Sequence, residues 1–151
     1  MSKTGLFAGS FDPFTKGHEA VVKKALELFD EIIIAIGINS TKQGYFHIEK
    51  RKEHIASLFE NANVRIVTYE KLTVDLCKDE GASHLVRGLR DSKDFSYERS
   101  IAHMNETLSG IQTVFLLTDQ QYAAINASIV REIHKNNGSI EAFVTNAHLL
   151  V

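Results

Sequence analysis

The sequence of 151 residues contains only one cysteine, one proline and no tryptophan. Because Cys77 has no second cysteine in the chain, an intramolecular disulfide and a zinc site built from several cysteines are excluded. The longest apolar run, residues 32–38, is far shorter than the roughly 20 residues that cross a bilayer. The first residues also lack the apolar segment of a secretory signal peptide. These absences predict a cytoplasmic protein with no membrane-embedded segment.

The chain also lacks a marked excess of charge of either sign. The 17 Lys and Arg residues nearly balance the 19 Asp and Glu residues, which leaves a formal net charge of −2. A protein that binds nucleic acid or a membrane surface usually carries a clear positive excess, so neither partner is expected. The apolar fraction of 44% is that of a globular protein. The length falls within the usual range of roughly 100–200 residues per domain, which predicts a single domain over residues 1–151.

Short apolar segments alternate with segments of helical spacing along the chain. This alternation predicts an α/β fold, a Rossmann-like, doubly wound, five-stranded parallel sheet with helices on both faces. The predicted strands lie near residues 6–8, 32–38, 64–69, 84–86 and 113–117. The predicted helices lie near residues 17–29, 55–59, 73–80, 94–108 and 127–136, and the tail after residue 139 is ambiguous.

Ligands of such a sheet bind beyond the carboxyl ends of its strands. The loops to consider are therefore 9–16, 39–47, 70–73, 87–93 and 118–126. The sequence has no G-x-G-x-x-G after its first strand and no G-x-x-x-x-G-K-[ST], so the usual dinucleotide fingerprint and a Walker-type ATPase are excluded. The absence of G-x-S-x-G counts against an α/β-hydrolase.

The loop after the first strand, GSFDPFTKGH, has the parts of a phosphate site. Gly9 lets the backbone approach a ligand closely, and Ser10 offers a hydroxyl donor. Pro13 stiffens the loop by fixing its own φ. Gly17 begins the predicted helix, so His18 lies in the first turn, where free N–H groups and the helix dipole favour an anion. The same residues could also form an ordinary strand-to-helix turn with a solvated histidine.

The loop resembles the G-[TS]-F-D-P-x-[TH]-x-G-H signature of the adenylyltransferase superfamily. The broad superfamily usually has histidine at the [TH] position, and Thr15 at this position is typical of the phosphopantetheine adenylyltransferase family. Four further segments extend the resemblance over nearly the whole chain. They are Lys42, the pair Leu72 and Thr73, the block Arg87-Gly88-Leu89-Arg90 with Asp94, Tyr97 and Glu98, and the segment from Tyr122 to Arg131.

The last of these segments departs from the family pattern I-S-S-S-x-V-[RK]-E. Asn126 and Ala127 stand in place of the first two serines, and only Ser128 remains. The loss of two hydroxyl groups puts nucleotide affinity in doubt. Asn126 can still cap the helix that follows.

Several of these residues also have simpler interpretations. Lys42 could be a solvated loop lysine, and Thr73 could merely cap a helix. The arginines could form surface ion pairs with Asp91 or Asp94, although two guanidiniums at a strand end also suit phosphate binding. The apolar face of the helix over 94–108 could be core or an oligomer contact.

The resemblance implies transfer of the adenylyl group of ATP to 4′-phosphopantetheine, giving dephospho-coenzyme A and pyrophosphate. His18 would stabilise the transition state, with Ser10, Lys42 and Arg87 as the other catalytic residues. A phosphate monoester is largely dianionic at neutral pH and therefore needs no general base. The implied substrate-binding residues are Ser10, Lys42, Leu72, Thr73 and Arg87. The implied ATP-binding residues are Gly9, Ser10, Phe11, Gly17, His18, Gly88, Leu89, Arg90, Asp94, Glu98, Tyr122, Ile125, Asn126, Ala127 and Ser128.

The same resemblance implies Mg²⁺ bound with ATP rather than at a protein metal site, a homohexamer, and coenzyme A as a feedback ligand. His18, Lys42, Arg87 and Arg90 are expected to form a cluster of cations at the ends of three strands. Three alternatives remain open at this point. The chain could be a sister nucleotidyltransferase acting on nicotinamide mononucleotide or glycerol 3-phosphate, a catalytically weak nucleotide sensor, or a flavodoxin-like domain with an incidental loop.

Overall fold

The computed structural model describes residues 2–151. Five strands alternate with five helices along the chain. The strands are β1 (Thr4–Gly9), β2 (Glu31–Gly37), β3 (Val64–Tyr69), β4 (His84–Leu89) and β5 (Gln112–Leu117). The helices are α1 (Lys16–Ala25), α2 (Ile48–Leu58), α3 (Thr73–Glu80), α4 (Ser92–Ser109) and α5 (Ala127–Lys135), with short 3₁₀ helices at Gln120–Tyr122 and Ala147–Leu150.

The strands form one sheet in the order β3-β2-β1-β4-β5, and every neighbouring pair is parallel. The predicted doubly wound fold is therefore confirmed. The chain runs outward from β1 to β3 and then crosses back to place β4 on the other side of β1. The crevice between the carboxyl ends of β1 and β4 is thus the switch point where such sheets bind ligands.

Two helix boundaries differ from the spacing-based prediction. α1 ends at Ala25, and a hydrogen-bonded turn in which the Phe29 N–H donates to the Ala25 carbonyl (2.9 Å) brings Phe29 into the core. α2 begins already at Ile48, because the His47 side chain caps it by accepting the Glu49 N–H (3.2 Å).

The two ends of the sheet are covered unequally. We call β1, β2 and β3 with α1, α2 and α3 the closed half, and β4 and β5 with α4 the open half. In the closed half, residues 32–36 of β2 are all fully buried. In the open half, neither α4 nor β5 contains a buried residue.

The tail that the sequence left ambiguous packs back onto the closed half. Ile140, Val144 and Leu150 form a small core with Phe46 and Val130. No helix within residues 2–151 is long and apolar enough to cross a membrane.

Candidate active site

A cleft of about 340 Å³ opens at the carboxyl ends of β1 and β4. It is lined by the loop after β1, the end of β4, the first turns of α4 and the start of α5. This is the position that the switch point of the sheet dictates. Among the predicted site residues, those that line it are Gly9, Ser10, Phe11, Gly17, His18, Arg87, Gly88, Arg90, Asp94, Glu98, Ile125, Asn126, Ala127 and Ser128.

Five predicted site residues lie outside the cleft, and Thr73, which lines a neighbouring cavity, is one of them. Lys42 is exposed in the loop before α2, and Leu72 is exposed at the start of α3. Leu89 is buried beneath the cleft, where its carbonyl accepts the Thr118 N–H (2.9 Å). Tyr122 lines a separate groove beside α1.

A second cavity of about 220 Å³ adjoins the first one. The two share Ala8, Gly9, Arg87 and Glu98 as lining residues. Thr73 lines the second cavity, and its hydroxyl lies 3.0 Å from that of Tyr69. Thr73 is the first residue of α3 and not its cap, since Leu72 takes the cap position without a side-chain hydrogen bond.

The first turn of α1 fixes the tautomer of His18. The Thr15 N–H donates to His18 Nδ1 (3.0 Å), and the Thr15 hydroxyl oxygen accepts the His18 N–H (3.4 Å). This reciprocal pair is a capping box. Because Nδ1 accepts a hydrogen bond, the proton of the neutral ring lies on Nε2. Nε2 has no hydrogen-bond partner among the described residues and remains available as a donor.

Aromatic rings and two arginines keep this imidazole neutral. Its ring centroid lies 5.1 Å from that of Phe11, 5.3 Å from that of Phe14 and 6.1 Å from that of Phe7. Burial, followed by the charges of Arg87 and Arg90, lowers the pKa of His18 to about 4. At neutral pH the ring is therefore a neutral donor.

Phe11 has a backbone conformation that is rare for a bulky residue. Its φ of 46° lies in the left-handed region. The ring folds back over Gly9, where an added Cβ would lie 3.0 Å from the ring carbons of Phe11. The close approach explains why glycine occupies position 9.

The arginines at the end of β4 are held by carboxylates. Arg87 donates from Nη2 and Nε to Glu98 (2.6 and 3.1 Å) and from Nη1 to the carbonyl of Ala8 (2.5 Å). Arg90 donates from Nε to Asp94 (3.0 Å), and this guanidinium is the main reason why the pKa of Asp94 is lowered. Its Nη1 also donates to the Ile125 carbonyl (3.2 Å).

His18, Lys42, Arg87 and Arg90 therefore do not form the expected cluster of cations. Arg87 and Arg90 are ion-paired, His18 is neutral and Lys42 lies elsewhere. For Arg90, the ion pair with Asp94 that the sequence allowed as the simpler interpretation is the one observed. Acidic residues spaced one helical turn apart on α4 place their carboxylates beside the strand end, so the cleft is close to neutral.

At the start of α5, Asn126 caps the helix as expected. Its Oδ1 accepts the N–H groups of Ser128 (2.8 Å) and Ile129 (3.2 Å). Two of the N–H groups that could meet a phosphate are thus already satisfied. The Ser128 hydroxyl accepts a hydrogen bond from Arg131 Nη2 (3.0 Å), so it is also engaged.

Several residues in or near the cleft were not assigned a site role from the sequence, and three of them are polar or charged and form no hydrogen bond with His18 or its helix cap. Thr118 and Asp12 line the cleft, and Arg51 lies buried behind it. The position of Asp12 before Pro13 in the first loop could have marked it as a site residue. Nothing in the sequence marks Arg51 as one, since it lies in a charged stretch of α2 that is typical of a solvated face.

Cys77 lies in the core and not in the cleft. It is fully buried, and burial raises the pKa of its thiol to about 11, which is typical of a structural cysteine and not of a nucleophile. Within residues 2–151, no group of three or more His, Cys, Asp or Glu side chains could hold a metal ion.

Comparison with known proteins agrees with this geometry. The family model described as cytidylyltransferase-like matches residues 6–133. A phosphopantetheine adenylyltransferase of Flavobacterium psychrophilum is 46% identical over 146 residues, which cover 96% of this chain and 97% of that protein. A protein of the same name from Cytophaga hutchinsonii is 46% identical, with coverage of 95% and 97%.

Solved structures share the fold at low identity. The bifunctional NMN adenylyltransferase/ADP ribose pyrophosphatase of Francisella tularensis, complexed with AMP and a manganese ion, matches with a TM-score of 0.71 at 20% identity, over 99% of this chain and 48% of that one. A putative nicotinate-nucleotide adenylyltransferase of Vibrio parahaemolyticus matches with a TM-score of 0.67 at 14% identity, over 99% and 97%.

The resemblance stated from the first loop is thus confirmed. The relatives favour neither a sister transferase nor a nucleotide sensor, and the fold and the family model together leave no support for a flavodoxin-like domain. With several relatives at this identity along nearly its whole length, the chain is a nucleotidyltransferase and belongs to the phosphopantetheine adenylyltransferase family.

Proposed function

We propose that the chain, as one domain, transfers the adenylyl group of ATP to 4′-phosphopantetheine, a step of coenzyme A biosynthesis in the cytoplasm. The observation that carries the proposal is the pair of adjoining cavities that share the Arg87–Glu98 ion pair as a wall. ATP would occupy the larger cavity, which is built on the first loop and α5. The acceptor would occupy the smaller one, with its phosphate toward Arg87 and Ser10 and its pantetheine arm toward Thr73.

The chemistry needs positioning and charge stabilisation more than proton transfer. An oxygen of the dianionic acceptor phosphate attacks the α-phosphorus of ATP, and a new P–O bond forms. The bond between the α-phosphorus and the oxygen bridging to the β-phosphate breaks, and pyrophosphate leaves with that electron pair. No general base is required, because the nucleophile is already ionised at neutral pH.

His18 is the residue we assign to the transition state. Its Nε2–H is a neutral donor whose direction is fixed by the Thr15 hydrogen bond to Nδ1. A fixed donor costs no reorganisation as charge builds on the α-phosphate, which is the property of an oxyanion-type stabiliser.

Lys42 needs a movement to take part. Its loop has an isolated bridge between Asn39 and Lys42 and lies outside the cleft. We propose that the acceptor phosphate draws the Lys42 side chain toward Ser10. Leu72, exposed at the start of α3, would contact the pantetheine arm beside Thr73.

Mg²⁺ fits as a partner of ATP. The carboxylates of Asp94 and Glu98 are taken up by arginines, and the described residues offer no metal-binding cluster. The near-neutral cleft leaves much of the triphosphate charge uncompensated. We propose that Mg²⁺ supplies that charge, bound by phosphate oxygens and water with few protein ligands.

The other implied partners are this chain itself and coenzyme A. The exposed apolar face of α4 supports a homo-oligomer, for which the family resemblance suggests a hexamer. Coenzyme A contains the pantetheine and nucleotide portions of the product, so it would compete for both cavities. Inhibition by coenzyme A that is relieved by raising ATP would support this feedback role.

The decisive experiment measures pyrophosphate release from three substrate pairs with Mg²⁺. They are ATP with 4′-phosphopantetheine, ATP with nicotinamide mononucleotide, and CTP with glycerol 3-phosphate. We expect release only with the first pair. Release with either of the other pairs, or with none, would contradict the proposal.

A further inference from the structure

A buried ion pair of Asp12 and Arg51 lies behind the first loop. Asp12 is 8% exposed and Arg51 is 7% exposed. Arg51 Nε lies 3.9 Å from Asp12 Oδ1, too far for a direct hydrogen bond. Buried charges need hydrogen-bond partners, and these two find them in backbone groups.

The pair connects two loops by crossed hydrogen bonds. The Asp12 carboxylate accepts the N–H groups of Tyr45 (2.6 Å) and Phe46 (2.8 Å), which belong to the loop that carries Lys42. Arg51 donates from Nη1 to the Ser10 carbonyl (2.7 Å) and from Nε to the Phe46 carbonyl (2.9 Å). The first loop and the 39–47 loop are thus fixed to each other through two charged side chains.

One of these bonds lies at the peptide group that precedes the rare backbone conformation of Phe11. The Ser10 carbonyl and the Phe11 N–H belong to the same planar peptide group. The φ of Phe11 is the rotation of its own Cα relative to that plane, so the hydrogen bond from Arg51 holds the plane in the orientation that a φ of 46° requires. The Phe11 ring then packs edge-on against His18, with an interplanar angle of 81°.

We propose that Arg51 is a positioning residue of the transferase, acting on His18 and Ser10 through the Ser10 peptide and the Phe11 ring. The expected effect on kcat rests on the proposed function, whereas the expected effect on the His18 titration does not. Arg51 does not line the cleft and would touch neither substrate. Its guanidinium serves two carbonyls at once, which a lysine ammonium at the same place would do poorly.

Gly44 offers a second way to disturb the same pair. A Cβ at this position would lie 2.7 Å from Arg51 Nη2 and 2.8 Å from Asp12 Oδ2. Gly44→Ala would therefore displace the pair without removing either charge. It provides a test if the arginine variant folds poorly.

The experiment compares Arg51→Lys with Arg65→Lys, using steady-state kinetics and an NMR titration of His18. Arg65 on β3 is the matched control. It is ion-paired with Glu31 of β2 and Glu80 of α3, remote from the cleft. For Arg51→Lys we expect kcat to fall about 10- to 100-fold while KM for ATP changes less than about threefold. We also expect the pKa of His18 to rise by at least about half a unit, because the ring loses its packing against Phe11.

The titration separates this inference from the proposed function. If the wild-type chain released no pyrophosphate, the proposed function would fail, while a shifted His18 titration in Arg51→Lys and Gly44→Ala would still support the positioning role. An unchanged His18 titration in both folded variants would overturn that role. So would a wild-type kcat in both variants, or an equal loss in Arg65→Lys.

Discussion

The closed and open halves of the molecule use apolar side chains in opposite ways. In the closed half, residues 32–36 and the rings around His18 are buried within the chain itself. In the open half, Tyr97, Met104 and Leu108 of α4 are 72%, 68% and 64% exposed. An 18-residue helix with no buried residue cannot gain its stability from this chain's core alone.

The cleft lies at the boundary between these halves. The closed half contributes the first loop and His18, and the open half contributes Arg87, Arg90 and their carboxylate partners on α4. The closed half thus carries the proposed transition-state donor. The open half carries charged groups whose positions depend on α4, a helix with an exposed apolar face.

The largest expected effect separates two histidines, one in each half. His18→Ala should lower turnover by at least about 100-fold with ATP binding largely retained, by analogy with the loss of one oxyanion donor. His103→Ala, on the exposed surface of α4, should change turnover by less than about twofold. Steady-state kinetics and nucleotide titration measure both. Near-normal turnover in His18→Ala would remove the role we assign to the closed half.

The second prediction concerns two leucines of similar exposure. Leu108 on α4 is 64% exposed and Leu28 after α1 is 57% exposed. If the open half is an oligomer contact, Leu108→Glu should weaken association at least about tenfold, because it would bury a charge between subunits. Leu28→Glu should leave association unchanged.

Sedimentation of the wild type and both variants over a range of concentrations tests this difference. A wild-type chain that sediments as a monomer, or a Leu108→Glu variant with wild-type association, would contradict the oligomer. Equal weakening of association by both substitutions would show that the contact is not confined to the open half.

The third prediction is a loss of stability in acid that originates in the closed half. The pKa of His18 is lowered to about 4 in the folded chain, and burial also lowers the pKa of His54. Between the ordinary histidine pKa of 6.5 and this lower value, the unfolded chain binds a proton that the folded chain does not. The free energy of unfolding should therefore fall as the pH drops through this window.

Urea unfolding at several pH values measures the slope. His18→Asn cannot take up the proton, so its stability should decline less steeply than that of the wild type over the same window. Parallel slopes would mean that His18 titrates normally in the folded chain.

The sequence predicts correctly those elements and loops that depend only on residues close together in the chain. The β-branched run of residues 32–38 and the helical spacing of residues 97–108 predict their elements, since each depends on its own periodicity. The first loop was likewise readable, because its glycines, Pro13 and His18 lie within ten consecutive positions.

Features that depend on residues far apart in the sequence could not be predicted. Asp12 and Arg51 are 39 positions apart in the sequence, and only the folding of the chain brings them together. The position of Lys42 depends on how its loop docks, and its sequence context does not specify that. The apolar stripe on α4 fits a buried core and a subunit contact equally well, because both require the same spacing.

The smallest expected effect distinguishes two roles of Asn126, which caps α5 and lines the cleft. Asn126→Ala should lower the free energy of unfolding by about 1 kcal/mol, because the N–H groups of Ser128 and Ile129 lose their acceptor. Asn126→Asp keeps an acceptor at the same place and should leave stability nearly unchanged. It adds a negative charge where the phosphates of ATP would lie, so KM for ATP should rise at least about threefold. Asp91→Asn, a matched change of a cap at the start of α4, should leave KM for ATP unchanged. An Asn126→Asp variant with the wild-type KM would mean that the start of α5 does not face the phosphates, and ATP would then have to bind on the α4 side of the cleft alone.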